Sequence, residues 1–476
     1  MLSATVFDDT VEIIAAVHCD KRLRKSVASL SIFFWKIVAA TSTLHQGSDD
    51  YFNATVFDII YLNHDQPKIS MRIVVVGGGF GGLFTLRELE HRLGKEHELI
   101  LIEPRDRFVF TPLLHEVAGG VLDQDAVTTP YDRLLHRTTH IRAFAKKIDF
   151  EKKIVYADAK YPFDIVVLAQ GAKTNFFGPP IDALELKSFE SAQLIRATIE
   201  QNVQKAAAIL KKNPDMDVSS LLHVVIVGGG ATGVEVAGEC IDLLRFRISV
   251  EQIDREPIVT LVHSRNHLLH TFENFFGTMV AKKLHDKGVT LVMNAKVTAV
   301  KDTIVDIKMV HGTQKLHSSC VIWSAGIEPN TIAPFDAHVR VGRTLQLSDH
   351  PFAFAIGDAA IVEKDRLPAL AQVASLQGEL VARNIVRFID GEKLEKFSFK
   401  SRGMLISVGQ RYAVGKIGGI RMQGFVAWFI MRTVYLLKFK SLRQEVRMAY
   451  EYTIRLFARQ RRCLAVKAVK KRFLRK

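Results

Sequence analysis

Short apolar runs alternate with glycine-rich turns, and this pattern is clearest between Met71 and Glu103. Residues 71–76 are almost entirely apolar, which predicts a parallel strand buried on both faces. A glycine-rich hexapeptide follows, and leucines at positions 83, 86, 89 and 93 then recur at helical spacing. A second apolar run, 99–102, ends at Glu103. The pattern predicts a strand, a tight turn, a helix and a second strand, in that order.

The tight turn matches G-x-G-x-x-G through Gly77, Gly79 and Gly82. Such glycines let the backbone approach a pyrophosphate, and the helix N-terminus offers free N–H groups to its negative charge. Glu103 lies 21 residues beyond Gly82 and is placed to accept hydrogen bonds from a ribose. We therefore predict that this unit binds a dinucleotide.

The same pattern recurs later in the chain. The apolar run 222–227 leads into Gly228, Gly230 and Gly233, and a helical stretch and the apolar run 258–262 follow. Two such units predict two dinucleotides held side by side. The simplest chemistry for that pair is hydride transfer from a nicotinamide to a flavin.

Three further apolar runs end where a cofactor can approach the backbone. They end at Gly171, at Gly326 and at the pair Gly357-Asp358. Glycine allows backbone N–H groups to come close to a ligand, and we expect Asp358 to bind a polyol chain. His115, in contrast, lies among apolar neighbours, where a single histidine is more often a packed, hydrogen-bonded core residue than a catalytic group.

The basic charge of the chain is concentrated at its C-terminus. The 476 residues carry a formal charge of +15, of which residues 438–476 contribute +12. The body is close to neutral, so no nucleic-acid partner is predicted. The cysteines are too widely separated for a disulfide framework, a metal knuckle or a C-x-x-C motif, which fits a reducing compartment and predicts no metal site.

Residues 401–476 are predicted to form a membrane-association region. The run 424–437 is apolar and aromatic but shorter than the roughly 20 residues that span a bilayer. From Ser441 onward, an apolar stripe lies beside a row rich in arginine, which is typical of a helix on an anionic lipid surface. The alternative is that this stripe packs on the protein's own core or on a second subunit.

Several motifs resemble those of type II NADH dehydrogenases, the single-subunit, non-proton-pumping NADH:quinone oxidoreductases. The resemblance covers about residues 71–462. It is carried by PLLHEVAGGVLD at 112–123, GAKTNFFG at 171–178, TGVE at 232–235, AIGD at 355–358 and AQVA at 371–374.

The resemblance implies a role for each motif. FAD would occupy the first unit, with Glu103 on its adenosine ribose and Asp358 near its ribityl chain. Glu235 would contact NADH beside the flavin, and Gln372 would line the pocket of a membrane quinone. It further implies a homodimer, attached through its tail as a peripheral protein to the cytoplasmic face of the bacterial inner membrane.

Two stretches depart from the family pattern. Leu376 stands where a second quinone-binding glutamine is expected, so the quinone site is altered or Gln377 takes over. At the end of the second unit's second strand, His263, Ser264 and Arg265 stand where an acid for the NADH ribose is expected. These residues suit a 2′-phosphate, so the electron donor is predicted to be NADH or NADPH.

Other classes of flavoprotein with two dinucleotide-binding units are alternatives. Disulfide reductases are excluded because no cysteine lies between Cys19 and Cys240. A sulfide:quinone oxidoreductase needs a reactive cysteine pair, which Cys240 and Cys320 would form only by coincidence. A soluble NAD(P)H oxidase or ferredoxin reductase would not need the membrane-association region. A flavin-based redox sensor would show no turnover with quinone.

The predicted fold class is α/β, with two Rossmann-like dinucleotide-binding domains and a C-terminal amphipathic helical membrane-anchoring region. Residues 71–185 and 331–400 are expected to form the FAD-binding domain. Residues 186–330 are expected to form the NAD(P)H-binding domain, and residues 401–476 the membrane-association region. Residues 1–70 are an extension of unassigned role, and Met71 is a candidate for the functional start.

Overall fold

The computed structural model describes residues 70–178, 181–363, 367–401 and 403–438. Contacts divide the chain into two compact units, Met1–Lys68 and Ile69–Lys476. The first unit lies outside the described residues, and so does almost all of the extension expected at 1–70. The fold described here is that of the second unit.

Two helices of the described residues begin within the predicted glycine motifs, so that the third glycine of each motif lies in the first turn of the helix. In chain order the helices are α1 (Phe80–Arg92), α2 (Leu114–Ala118), α3 (Gln124–Val127), α4 (Phe189–Lys212), α5 (Ala231–Val250), α6 (Asn274–Asp286), α7 (Ala371–Ile389) and α8 (Gly424–Lys438). The helices that follow the glycine turns are α1 and α5. Short 3₁₀ turns lie at Thr111–Leu113, Tyr131–Arg133 and Gly357–Ala359.

The strands are short, with two to six residues each. In chain order they are β1 (Arg72–Val76), β2 (Glu98–Ile102), β3 (Arg107–Val109), β4 (Thr128–Pro130), β5 (Thr139–Ile141), β6 (Lys147–Asp149), β7 (Ile154–Tyr156), β8 (Lys160–Pro162), β9 (Ile165–Leu168), β10 (Ala172–Thr174), β11 (Leu184–Glu185), β12 (His223–Val227), β13 (Ile258–Val262), β14 (Val289–Val292), β15 (Lys296–Lys301), β16 (Ile304–Met309), β17 (Gly312–His317), β18 (Cys320–Trp323), β19 (Ile327–Pro329), β20 (Val339–Val341), β21 (Ala353–Ala355), β22 (Ala360–Val362), β23 (Gly403–Ser407), β24 (Ala413–Ile417) and β25 (Ile420–Gln423).

The first apolar run forms the central strand of a five-stranded parallel sheet, in the order β21-β9-β1-β2-β5. Residues 73–76 of β1 are buried and pair with β2 on one side and β9 on the other. Burial on both faces explains why this run lacks polar alternation. Because β21 comes from a late segment, the chain returns to this sheet after building the second one.

The second sheet repeats this arrangement, in the order β11-β18-β12-β13-β14. Its pairs are also parallel, and β12 is buried at all five positions. In both sheets the central strand leads through a glycine turn into a helix and then into the neighbouring strand. The predicted α/β class with two dinucleotide-binding folds is confirmed.

Helices α1 and α7 approach each other closely at two glycines. A Cβ on Gly378 would collide with the carbonyl of Gly81, and the Thr85 hydroxyl donates to the Gly378 carbonyl at 3.3 Å. Large side chains cannot fit between the two helices at this crossing. The crossing brings the first turn of α7 beside the first glycine turn.

The C-terminal part of the described chain is a three-stranded antiparallel sheet, β23-β24-β25, covered by α8. Ala413, Ala427, Trp428 and Met431 form the core between them. None of the helices within the described ranges combines the length and the apolarity that are needed to cross a bilayer. The amphipathic stripe predicted from Ser441 onward lies outside the described residues.

Candidate nucleotide and redox site

The glycine turn between β1 and α1 presents an open backbone surface. A Cβ on Gly77, whose φ is +98°, would collide with the carbonyl of Ala169, and one on Gly82 would collide with the carbonyl of Gly77. Gly79 is different, because no atom lies within 4 Å of its Cβ position. The packing of the chain therefore requires Gly77 and Gly82, while Gly79 faces space in which a pyrophosphate can reach the backbone.

Glu103 is held by hydrogen bonds at the end of β2. Its Oε2 accepts from the Gly78 N–H at 2.7 Å, and its Oε1 accepts from Arg105 Nε at 2.7 Å. Burial opposes the charge, but the hydrogen bonds from Arg105 and Gly78 prevail and lower the pKa of Glu103. Tyr131 donates to the Gly78 carbonyl at 2.8 Å, which ties the same turn to a later segment.

A cavity of about 800 Å³ extends from the first glycine turn to the start of α5. This volume lies in the range of cofactor pockets. The residues present fit FAD, because the open face of Gly79, an ionised acid at a strand end and a half-buried Asp358 all face one space. The predicted site residues that line it are Gly77, Gly79, Glu103, Gly171, Glu235 and Asp358.

Asp358 lies in the 3₁₀ turn after β21 and lines this cavity together with Lys187. Burial raises the pKa of Asp358, and the charges of Lys187 and His338 counteract part of the increase. Gln377 is 2% exposed, and its Oε1 accepts from the Gly357 N–H at 2.7 Å. Gln377 therefore fixes the turn that carries Asp358. It does not line the cavity, and its expected contact with quinone stays a prediction.

The second glycine turn has the same backbone geometry as the first. Gly228 has a φ of +114°, a Cβ on Gly233 would collide with the carbonyl of Gly228, and the Cβ position of Gly230 is open. His263, at the end of β13, is 6% exposed, and its Nδ1 accepts from the Gly229 N–H at 3.0 Å. His263 thus occupies the position that Glu103 has in the first unit.

Buried ionisable groups from α2, α5 and α8 lie together, and we call them the carboxylate cluster: Glu116, Glu235, Glu239 and Arg432. Arg432 Nη2 donates to Glu116 Oε1 at 3.0 Å. The guanidinium of Arg432 also lies 4.0 Å from the centre of the Trp428 ring. Both carboxyl oxygens of Glu239 are buried and form no hydrogen bond within the described residues.

The carboxylate cluster has three acids and one cation, so bound protons must balance its charge. Burial raises the pKa of Glu235 to about 8, and the charges of Glu116 and Glu239 add to this increase against a backbone hydrogen bond from Ser407. Burial and the charge of Glu116 also raise the pKa of Glu239. Glu116 and Arg432 form the ion pair, while Glu235 and Glu239 keep their protons to a higher pH than exposed carboxyl groups do.

His115 lies beside this cluster and lines the cavity. It is 2% exposed, and its Nδ1 lies 3.6 Å from Glu235 Oε2. Burial and the charge of Arg432 lower the pKa of His115 to about 3, so the ring is neutral. The expected packing of His115 is confirmed, although its Nε2 forms no hydrogen bond within the described residues.

Cys240 and Cys320 are free, buried thiols. Burial raises the pKa of both, that of Cys320 to about 12. Neither residue is therefore a thiolate at neutral pH, and the two do not form the reactive pair that sulfide oxidation requires.

The structure groups the predicted residues by unit. Those of the first unit apart from Gly82 share the cavity with Glu235, whereas Gly228, Gly230, Gly233 and His263 surround the second glycine turn. Gln372 is half-buried at the start of α7, and Arg265 is exposed beyond His263. The predicted residues that do not line the cavity are Gly82, Gly228, Gly230, Gly233, His263, Arg265, Gly326, Gln372 and Gln377.

Sequence reasoning missed Arg105, Lys187 and the carboxylate cluster apart from Glu235. One signal was present, because Arg432 interrupts an otherwise apolar helix. A lone cation in such a helix indicates a buried acidic partner. Glu116 and Glu239 gave no comparable signal, since the contact between α2 and α5 arises only in the folded chain.

Comparisons with known proteins agree with this geometry. Residues 71–378 match the pyridine nucleotide-disulphide oxidoreductase family. The type II NADH:quinone oxidoreductase of Staphylococcus aureus is 28% identical over 384 residues, which cover 76% of this chain and 94% of that protein. The type II NADH:quinone oxidoreductase Ndh of Mycobacterium tuberculosis is 28% identical over 408 residues, which cover 79% of this chain and 86% of that protein.

A solved structure supports the fold. The NDH2 of Plasmodium falciparum in complex with NADH matches with a TM-score of 0.75 at 19% identity, over 82% of this chain and 99% of that one. The resemblance to type II NADH dehydrogenases is thereby confirmed. The chain belongs to the pyridine nucleotide-disulphide oxidoreductase family.

Proposed function

We propose that the protein is an FAD-dependent NADH:quinone oxidoreductase. The observation that carries this proposal is the shared cavity, which Gly79 and Glu103 of the first unit line together with Thr232 and Glu235 of the second. Two dinucleotides bound to these units would meet there. The relatives named type II NADH:quinone oxidoreductase support the same reaction.

The first unit is suited to hold FAD. Glu103 offers acceptor oxygens to a ribose, and Arg105 fixes the orientation of its carboxylate. Gly79 admits a pyrophosphate, and Asp358 and Lys187 offer polar groups further along the cavity. When bound, FAD supplies a ring that accepts a hydride and passes on two electrons. The reaction balances as NADH, one proton and quinone giving NAD⁺ and quinol.

Glu235 and His115 set the charge beside the reacting rings. Because its pKa is raised to about 8, the carboxyl of Glu235 is protonated at neutral pH and can donate a hydrogen bond. His115 is neutral because its pKa is lowered to about 3. Both side chains can therefore position a nicotinamide without introducing a charge, which is how a site favours hydride transfer by orientation.

We place the quinone beside the first turn of α7. Gln372 is half-buried there, and Ala371 and Ala374 line the cavity. Leu376 is also half-buried and offers no hydrogen bond. Gln372 is thus the polar quinone contact that we propose from this turn.

Membrane attachment through residues 401–476 belongs to the proposal. Ile420, Phe425 and Val426 are exposed by 69, 47 and 63% around the start of α8. The basic segment 438–476 follows. Exposed apolar side chains next to dense positive charge suit an anionic lipid surface. We further propose a homodimer at the cytoplasmic face of the bacterial inner membrane that pumps no protons and also accepts NADPH.

Removal of residues 439–476 tests the attachment. The shortened chain keeps α8 and Arg432, so we expect it to fold and bind FAD. It should no longer sediment with vesicles that contain anionic lipid, whereas the full chain should do so. Vesicles of neutral lipid are the control for charge. Sedimentation of the shortened chain at full-length levels would contradict the proposal.

Steady-state assays of the FAD-loaded enzyme test the reaction. We expect NADH oxidation to depend on a short-chain quinone, and Gln372→Leu to lower the quinone-dependent rate by about tenfold through loss of one hydrogen bond. Gln201→Leu, on the exposed face of α4, is the matched control and should behave as the parent. NADH oxidation that does not respond to quinone would exclude the function.

A further inference from the structure

Two cations face each other across the hairpin of β24 and β25. The strands pair antiparallel, with Lys416 directly opposite Arg421, and Gly418 and Gly419 form the turn between them. The two charged side chains are 40 and 54% exposed. Like charges at opposite positions of an antiparallel pair repel each other. An anion between Lys416 and Arg421 therefore stabilises this hairpin.

Glu273 supplies that anion from the start of α6, in the second dinucleotide-binding unit. Its Oε1 accepts from Lys416 Nζ at 2.7 Å, and its Oε2 accepts from Arg421 Nε at 2.8 Å. The hydrogen bonds from Lys416 and Arg421 lower the pKa of Glu273, so the carboxyl is ionised at neutral pH. We call Glu273, Lys416 and Arg421 the latch, because they join the second unit to the C-terminal sheet.

A second contact between the same two regions is far less accessible. Lys287 Nζ donates to both oxygens of Asp242 at 2.7 Å, and the Gln410 N–H donates to Asp242 Oδ2 at 3.1 Å. The side chains of Lys287 and Asp242 are 11 and 16% exposed. Exposed ion pairs are weak and are screened by salt, whereas partly buried ones are screened much less. The latch can therefore open while this second contact keeps the sheet in place.

The latch is connected to the second glycine turn through residues 264–272. The Leu269 N–H donates to the Gly229 carbonyl at 2.8 Å, and the Phe272 N–H donates to the Leu269 carbonyl at 2.8 Å. Leu269 has a φ of +53°, a strained conformation for leucine that persists only where the surroundings hold it. Because Glu273 follows directly, the latch anchors the end of this loop that lies away from the glycine turn.

Exposed apolar side chains accompany the two cations. Ile420 precedes Arg421 on the hairpin and is 69% exposed. Phe275 is 38% exposed, and the centre of its ring lies 5.3 Å from the Arg421 guanidinium. A lipid surface offers a phosphate to the cations and an apolar layer to these side chains, whereas a water-soluble anion offers the phosphate alone. The surroundings of the latch therefore favour the phosphate of a lipid.

We propose that the phosphate of an anionic lipid replaces the Glu273 carboxylate between Lys416 and Arg421, so that docking on a lipid surface opens the latch and weakens nucleotide binding in the second unit. The proposal rests on the proposed function, which places a pyridine nucleotide in this unit and lipid at the C-terminal region. An open latch frees one end of the loop 264–272, so more conformational entropy is lost when a nucleotide binds. The product NAD⁺ then dissociates faster from the enzyme on a lipid surface.

The coupling is reciprocal and small. If lipid weakens the binding of a nucleotide by some factor, the nucleotide weakens the binding of lipid by the same factor. The latch consists of exposed ion pairs, so we expect this factor to be about threefold. The affinity of the protein for anionic vesicles should accordingly fall by about threefold at saturating NAD⁺.

Equilibrium dialysis of NAD⁺ against the FAD-loaded full chain measures the coupling without turnover. We expect the dissociation constant of NAD⁺ to rise about threefold when vesicles that contain anionic lipid are added, and to stay constant with vesicles of neutral lipid. Glycerol 3-phosphate at the same phosphate concentration supplies the headgroup chemistry without a surface and should have no effect. An equal response to glycerol 3-phosphate would overturn the lipid surface as the ligand.

Variants of the latch assign the effect. Glu273→Gln opens the latch permanently, so NAD⁺ should bind about threefold more weakly without vesicles, and vesicles should cause no further change. Lys416→Gln combined with Arg421→Gln should behave in the same way and should still sediment with vesicles through residues 439–476. Glu88→Gln, which removes an exposed ion pair with Arg92 on α1, is the matched control and should respond to vesicles as the parent does.

Three results would overturn the latch: a vesicle response in Glu273→Gln as large as in the parent, no response in a parent chain that sediments with the vesicles, or a failure of the parent chain to sediment. The third result would also contradict the proposed membrane attachment. If NAD⁺ binds to no form of the protein, the assignment of the second unit fails, and the proposed function fails with it. If the predicted response is found but quinone turnover is absent, the latch stands and the proposed function fails.

Discussion

The two dinucleotide-binding units of this chain share one backbone arrangement and differ in the side chain at the end of the second strand. In both, the first and third glycines avoid a collision with a carbonyl, and the middle glycine, Gly79 or Gly230, faces open space. In both, a residue at the end of the second strand accepts a backbone N–H from the turn, but that residue is Glu103 in one unit and His263 in the other. The backbone therefore defines a place for a dinucleotide, and the strand-end side chain decides its chemistry.

The units also differ in what is packed against them. The first unit receives β21 and α7 from a late segment of the chain, and Ala374 of α7 lines its cavity. Where α2 of the first unit meets α5 of the second, the carboxylate cluster forms and is completed by Arg432 of α8.

Removal of the single cation from the carboxylate cluster should have the largest effect. Arg432→Met leaves Glu116 buried without its ion-pair partner, so we expect the free energy of unfolding to fall by about 3–5 kcal/mol. Glu116→Gln in the same chain should restore most of the loss. Denaturant unfolding of both variants, with exposed Arg133→Met as control, measures this. A loss that the double variant does not recover would mean that charge pairing is not its cause.

Replacement of the strand-end residue should weaken FAD binding in the first unit only. Glu103→Gln removes a charge-assisted partner from Arg105, and we expect FAD to bind about tenfold to a hundredfold more weakly. His263→Gln should leave FAD affinity unchanged. The measurement is flavin fluorescence during reconstitution of the apoprotein. An equal loss in both variants would remove the distinction between the units.

Replacement of either middle glycine by alanine should leave the fold stable and weaken nucleotide binding. Gly79 and Gly230 have φ values of −68° and −77°, and no atom lies near their Cβ positions. We expect Gly79→Ala to weaken FAD, and Gly230→Ala to weaken 5′-AMP, each by about tenfold, because a methyl group meets the pyrophosphate or phosphate. Melting temperatures should stay near that of the parent. A large fall in either would show that the open space is needed by the fold itself.

The smallest expected effect concerns Glu239. Its pKa is raised in the folded protein, so the folded state holds this proton more tightly than the unfolded one. This stability is complete below the ordinary carboxyl pKa and is lost as the pH rises through the raised value. The free energy of unfolding should therefore fall less towards alkaline pH in Glu239→Gln than in the parent, by about 1–2 kcal/mol. Exposed Glu256→Gln is the control, and an identical pH profile in parent and Glu239→Gln would refute the assignment.

Local patterns were sufficient to predict the parts of the site that lie close together in the chain. Gly77, Gly79, Gly82 and Glu103 belong to one strand-turn-helix-strand unit, and their arrangement follows from that unit alone. The pairing of Arg432 with Glu116 joins residues 316 positions apart, which no local pattern reveals. Gln377 illustrates the same limit, because its contact with Gly357 depends on how α7 meets a strand end.

We propose that two electrons pass from the nucleotide in the second unit to the nucleotide in the first, and from there to a quinone. Rapid mixing of the FAD-loaded protein with NADH without oxygen, followed by a short-chain quinone, measures both steps through the visible absorbance of the flavin. We predict that NADH bleaches the flavin and that quinone restores its colour, each at a rate no slower than steady-state turnover. Bleaching without recovery by quinone, or no bleaching by NADH, would contradict the account.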